Sequence, residues 1–305
     1  MQQKMIKISV TAVIISFNPD IALLDKEYRS VVPQVNRVIY VDNCSINRTD
    51  IKRWLEGKEK AEFIWLDDNE GIGVAQNEGI RKALSDGTTH VIIFDQDSVV
   101  DDGFVVSLYE AEQKAIADGV KVGLTGPVYQ SYDDNFDYPI WSIENNRFVQ
   151  LPLDSFEHYT VVSHIIASGS LIRREVVEEV GLLREDWFLG YIDFEYCFRA
   201  ANHGYISIVT KKACMHHQMG DSQVVIMGRK IGLYTPFRRY FDCRNTLLIQ
   251  REEIFPKVLR RRYLKLVLGK VLISLIYGPS RWKQLRYCLK GFYDGIRGRG
   301  GKPIL

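Results

Sequence analysis

The sequence predicts an α/β fold: a mostly parallel sheet with helices on both faces, followed by a basic helical extension. Three observations predict it. Short apolar runs alternate with helix-like stretches over the first 125 residues. Those runs are β-branched and lack polar alternation, the pattern of strands buried on both faces. After Pro236 the pattern changes to longer helical stretches rich in Lys and Arg. The chain has 305 residues, 46% hydrophobic and 26% charged, enough for one large α/β core and unlike a disordered or collagenous chain.

Taken in order, the strand candidates are Ile8–Ser16, Arg37–Val41, Glu62–Leu66, His90–Phe94 and Lys121–Thr125. Helices are predicted between them at Asp20–Val32, Asp50–Glu56, Ile72–Leu84 and Phe104–Ala117. Strict alternation of this kind builds parallel sheets. Ligands of such sheets sit at the carboxyl ends of the strands. That rule selects Phe17–Asp20, Asp42-Asn43, Asp68–Gly73 and Asp95–Asp97. From Val128 to Val161, Tyr, Asp, Pro and Trp dominate, as in an irregular binding region. Ser163–Ile172 reads as a strand and Arg174–Gly181 as a short helix ending at glycine. Trp187–His203 carries carboxylates and then a helix. Ile206–Val209 and Ala213–His216 read as extended, and two or three basic helices follow Pro236.

Charge is unevenly spread. Residues 228–305 hold nineteen Lys/Arg against four Asp/Glu, about +15, so the rest carries about −13 within a net +2. Such asymmetry points to a partner surface. Five scattered cysteines form no C-x-x-C pair, which fits a reducing compartment with neither disulfide frame nor zinc knuckle. The run Val10–Ile15 is too short for a signal peptide and reads as a first strand. The expected location is cytoplasmic, with peripheral contact to the inner face of the plasma membrane. No nucleic-acid partner is expected.

Five constellations bear chemistry. Asp95-Gln96-Asp97 follows the strand Val91–Ile93. Two carboxylates at that spacing can share a divalent cation or divide between ribose and cation, and hard oxygen donors suit Mg²⁺ or Mn²⁺. A plain Asp cap is the alternative. Asp42, ending the second strand, can accept the N3–H of uracil or thymine, or else hold an Asx-turn with Asn43 and Ser45. Asn69–Gly79 opens a helix with closely spaced glycines, suited either to phosphate and ribose or to tight strand–helix packing. Trp187–Tyr196 sets Asp193 and Glu195 beside aromatic side chains on which a sugar ring can stack. A carboxylate there can deprotonate a hydroxyl. Asp193 takes that role against an N-cap alternative. Glu195 pairs with Arg199 four residues on, as a helix-surface ion pair. The His216-His217 pair at a strand end can complete a carboxylate metal site.

In order, VIISFNPD, VDN, NEGIGVAQNEGI, FDQDS, ASGSLI, WFLGYIDFEYCFR, HHQMGD and Arg244-Asn245 resemble the family 2 glycosyltransferases, most closely their bacterial rhamnosyltransferase branch. The matching pieces span Val13 to Asn245. The resemblance implies the GT-A fold, Rossmann-like. It implies a catalytic domain over 1–235, with a nucleotide-binding half to about 127 and an acceptor half from 128, and a helical region over 236–305. It places the nucleotide site at Phe17, Asn18, Asp20, Asp42, Asn69 and Gly71. Asp95 and Asp97 fall on the family's D-x-D, Asp95 toward ribose as well as metal. Asp193 falls on its catalytic base and His217 on its late metal-site histidine. Trp187 and Tyr191 become acceptor-binding candidates.

The resemblance further implies a pyrimidine-diphospho-sugar donor, dTDP-rhamnose, held through Mg²⁺ or Mn²⁺. Transfer would invert the anomeric carbon and serve cell-surface polysaccharide biosynthesis. The acceptor would be a saccharide, lipid-linked or free. A UDP-hexose donor, or a non-catalytic membrane-associated scaffold on the same fold, are the alternatives. Leucines interleaved with Lys257, Arg260–Arg262, Lys265 and Lys270 suit an anionic membrane or, through the C-terminal helices, a second subunit.

Overall fold

β1 (Val10–Ser16) is buried along its whole length. Val13 and Ile15 enter one hydrophobic core while Ala12 and Ile14 enter another on the opposite face. The same division holds for Ile39/Val41 against Val38/Tyr40 and for Val91/Ile93 against Ile92/Phe94. Strand side chains alternate between faces, so a strand covered on both sides must be apolar throughout. Each such side chain contributes roughly 1.5–3 kcal/mol of burial.

The computed structural model describes residues 8–131, 137–216, 222–226, 229–278 and 280–304. After β1 come α1 (Ile21–Val31), β2 (Arg37–Asp42), α2 (Arg48–Leu55), β3 (Ala61–Trp65), α3 (Ile72–Ser85), β4 (His90–Asp95), β5 (Val99–Val100), α4 (Phe104–Ala117) and β6 (Val122–Gln130). Then follow β7 (Ile140–Glu144), β8 (Arg147–Leu151), β9 (Thr160–Val162), β10 (Ser170–Arg173), α5 (Arg174–Val180), α6 (Ile192–Asn202) and β11 (Ile206–His216). The last elements are β12 (Ser222–Ile226), β13 (Arg229–Leu233), α7 (Pro236–Arg251), α8 (Lys257–Tyr277) and α9 (Arg281–Ile296).

The main sheet runs β3-β2-β1-β4-β10-β6-β11-β5, with β9 also on β11. β3-β2-β1-β4 is parallel throughout, as predicted. Beyond it the sheet is mixed. β10 enters antiparallel between β4 and β6, so the predicted fifth strand is not β4's neighbour. The strand predicted over Ser163–Ile172 shrinks to Ser170–Arg173. The rest is irregular and ends in a turn, where Gly169 takes φ +79 and Ser170 Oγ donates to the Ala167 carbonyl at 2.6 Å. The two extended pieces after Ile206 are one strand with an irregularity between Val209 and Cys214.

The helices after Pro236 belong to the same body. Leu248, Ile249, Phe255 and Leu259 join the core that holds Val13 and Val91.

Candidate active site

Strand register brings the predicted carboxylates together. Ser16 lies opposite Asp42 on β2, and Ile15 lies opposite Asp95 on β4. The carboxyl ends of β2, β1 and β4 therefore stand level. Gln96 stitches the first loop to the last: its Oε1 accepts from Phe17 N at 2.6 Å and its Nε2 donates to Phe17 O at 3.3 Å. The Phe17 ring is exposed. Asn18, at φ 51, donates from its backbone to Ser45 Oγ (2.7 Å) and accepts from Ile46 N (2.8 Å). Asp20 caps α1, accepting from Ala22 N and Leu23 N.

Asp42 realises the Asx-turn alternative. Its side chain is fully buried and accepts from Ser45 N at 3.0 Å and Arg48 Nε at 2.9 Å. Arg48 and Ser45 both engage its Oδ2. Arg48 is the residue the sequence reading missed here, because nothing local marks its six-residue reach back to Asp42.

Around the D-x-D the supports are serines. Asp95 N donates to Ser168 Oγ at 3.0 Å, and Ser168 Oγ meets Ser98 Oγ at 2.8 Å. Beneath lies Glu27 of α1, fully buried, its carboxyl oxygens without a hydrogen-bond partner among the described residues. Burial first, then the charges of Asp97 and Asp95, push its pKa well above the ordinary carboxylate value. Two carboxylates two residues apart at one strand end offer the hard oxygen donors that suit a divalent cation.

The glycine loop follows β3. Asn69 Oδ1 accepts from Gly71 N (3.1 Å) and Asn43 Nδ2 (3.2 Å), tying this loop to the end of β2. Gly71 has φ +90, and a Cβ there would stand 2.6 Å from the Phe188 carbonyl. Ile72 N donates to that same carbonyl at 2.7 Å. Gly79 serves packing: a Cβ would fall 2.3 Å from Val13 Cγ1.

The turn before α6 carries the proposed base. Asp193 lies inside the helix, whose N-cap is Tyr191 at φ 65, so the N-cap alternative for Asp193 fails. Burial pushes the Asp193 pKa up to about 6, the Asp95 charge adding to it, while the Phe194 and Ala167 amides oppose. Tyr129 adjoins: burial raises its phenol well above the usual value, and the Asp193 and Asp95 charges raise it further.

Two expectations at this turn need correction. Trp187 is fully buried and stacks on Phe255 at 6.1 Å, so it offers no face to a sugar. Glu195 does pair with Arg199, at 2.9 Å, but in the interior, and Arg199 also donates to the Val180 and Leu182 carbonyls. Tyr191 is half-buried, 5.1 Å from the Tyr263 ring. The pair Arg244-Asn245 acquires a role. Arg244 Nη2 donates to Trp187 O at 2.7 Å. Asn245 Nδ2 donates to the carbonyls of Trp187, Leu189 and Gly190 at 2.9–3.2 Å. His216 pairs with Asp101 at 3.0 Å. His217, the proposed metal ligand, lies outside the described residues.

The fold has solved counterparts. GalNAc-T7, crystallised with UDP, GalNAc and Mn²⁺, superposes with a TM-score of 0.56 at 14% identity over 89% of this chain; the chain spans 58% of that protein's length. S. aureus TarS 1–349 gives 0.51 at 12% identity over 95% of this chain and 81% of that one. The fold is that of the GT-A glycosyltransferases. A model described as glycosyl transferase family 2 matches residues 11–181. The dTDP-rhamnosyl transferase RfbF of Shigella flexneri is 32% identical over 96% of this chain and 97% of its own. The low-salt glycan biosynthesis hexosyltransferase Agl10 of Haloferax volcanii is 22% identical over 91% and 88%. The chain belongs to glycosyl transferase family 2.

Proposed function

We propose that the protein transfers L-rhamnose from dTDP-rhamnose, with inversion, to a saccharide or lipid-linked saccharide in cell-surface polysaccharide biosynthesis. One observation carries the reading of the site: a half-buried carboxylate, Asp193, at the start of α6 stands within electrostatic reach of the D-x-D acid Asp95. One group can then serve the acceptor and the other the donor. The similarity to RfbF over nearly the whole of both chains supports the rhamnosyl donor.

Asp97, Asp95 and His217 would hold Mg²⁺ or Mn²⁺, which when bound supplies charge neutralisation for the departing diphosphate. Phe17, Asn18, Asp20, Asn69 and Gly71 would frame the nucleotide. Asp42 would accept the pyrimidine N3–H. Tyr191 would flank the acceptor. Asp193 takes the acceptor hydroxyl proton as that oxygen bonds to the anomeric carbon and the bond to the donor phosphate breaks. Positive charge grows on the ring in the transition state. One displacement inverts the centre.

Calorimetry with four nucleoside diphosphates tests the donor side. dTDP and UDP should bind more tightly than CDP and GDP by roughly 1.5–3 kcal/mol, the worth of a hydrogen bond to a charged group. Equal affinities would remove Asp42 as the reader. A donor screen in which UDP-hexoses transfer and dTDP-rhamnose does not would replace the sugar.

A further inference from the structure

We infer that α8 docks on an anionic lipid surface and so brings a lipid-linked acceptor to Asp193. The inference rests on the transferase reading above. Leu264, Leu268, Leu272 and Ile276 recur every four residues on α8 and are 36%, 56%, 60% and 47% exposed. Residues four apart lie on one helix face, so these four make a continuous apolar row roughly 18 Å long. Single exposed leucines are ordinary, but a row of them is a contact surface.

Alongside runs a second row, Lys257, Arg261 and Lys265, all exposed. The whole of α8 contains no Asp or Glu. No described helix is long and apolar enough to cross a membrane. A helix with an apolar row beside a cationic one lies flat in the headgroup region. A second copy of the chain fits this face poorly. Two-fold pairing would set like charges against each other, and α8 offers no acid to answer them.

The inner side of the same helix reaches the site. The Tyr263 ring lies 5.1 Å from Tyr191 and 5.9 Å from Phe194, the residue after Asp193. Arg262 sits over Phe148 of β8 at 4.3 Å. One helix diameter, about 10 Å, therefore separates the leucine row from the aromatic wall beside the base. A sugar whose lipid stays in the leaflet could reach Asp193 across that distance.

Flotation of the full-length protein with phosphatidylglycerol/phosphatidylcholine vesicles, without donor, tests this. The wild type should float with anionic vesicles, weakly with pure phosphatidylcholine, and less as salt rises. Leu268→Gln/Leu272→Gln should bind at least about tenfold more weakly, because two exposed side chains lose their apolar partner. Its dTDP affinity and donor hydrolysis should match wild type. The inference is overturned if the wild type ignores anionic vesicles at low salt, or if the double variant floats unchanged. It is equally overturned if the variant keeps vesicle binding but changes from dimer to monomer in sedimentation. Failure of wild type to hydrolyse any nucleotide sugar would instead strike the transferase reading, independently of flotation.

Discussion

Asp193 is pulled in opposite directions. Burial and Asp95 raise its pKa, three backbone amides lower it, and the balance lies near 6. A base of that strength is ionised at neutral pH yet holds a proton better than an exposed aspartate. Transfer should therefore lose activity as pH falls through about 6, and a cation bound beside Asp95 moves that limb lower. A rate profile flat from pH 7 to 4 would exclude Asp193 as the base. Asp193→Asn should lose about 10²–10⁴-fold in transfer while keeping dTDP affinity. The same variant should be more stable at pH 7–8. A carboxyl whose folded pKa is raised binds more protons folded than unfolded, so its contribution to stability declines as pH rises from about 4 to 6. Removing the charge should recover roughly 1–3 kcal/mol in urea melts. Glu195→Gln should behave oppositely. It leaves the half-buried Arg199 without its charge partner, so stability should fall by about 1–3 kcal/mol while the surviving folded enzyme turns over normally. An active Asp193→Asn beside a folded but inactive Glu195→Gln would exchange the two roles.

At the scale of elements, the base depends on a turn held from outside. The turn at 187–190 lends its carbonyls to α7, through Arg244 and Asn245, and to α3, through Ile72 N. Asn245→Ala leaves the Leu189 and Gly190 carbonyls short of a donor, while Trp187 O keeps Arg244. It should cost about 1–3 kcal/mol and lower kcat more than it raises the donor KM, because the turn leads into Asp193. Unchanged kcat would show the turn to be held without Asn245. How much of this was legible in the sequence varied with distance along the chain. β1, β2 and β4 were legible because burial on both faces demands apolar residues along their interior, and the half-buried edge strand β3 from the alternation of strand and helix. The strand-end carboxylates followed from alternation alone. The shortened β10 did not, since a serine-bonded turn with Gly169 at positive φ reads as apolar sequence. Trp187 was misplaced because an aromatic residue beside acids looks the same whether it faces a sugar or Phe255. The anchoring role of Asn245 acts on carbonyls 55–58 residues earlier, where no local pattern can report it.

For the whole molecule, the donor should act as a stabiliser. A ligand that binds only the folded state adds about 2.7 kcal/mol at a hundred times its Kd. dTDP with Mn²⁺ should therefore raise the melting temperature by a few degrees, and EDTA should cancel most of the rise if the D-x-D holds the cation. A shift that survives EDTA would separate nucleotide binding from the metal. The C-terminal helices cannot be deleted as a test of their role. Phe255 and Leu259 are core residues, which is why the surface leucines are the positions to vary.

The site is also stitched from the far end of the chain. The Gly301 carbonyl accepts from Arg244 at 2.6 Å, Gly301 N donates to the Asp186 carbonyl, and Lys302 pairs with Asp68 across 234 positions. In time rather than in space, this means the base is seated late. A chain made from its N-terminus can assemble β3-β2-β1-β4 once its first hundred or so residues are available. The turn before Asp193 waits for contacts that arrive with Arg244, Asn245 and Gly301. Closing so long a loop adds little to the equilibrium cost, since that cost grows only logarithmically with length, but such distant pairings slow folding. Refolding should restore nucleotide binding before it restores transfer.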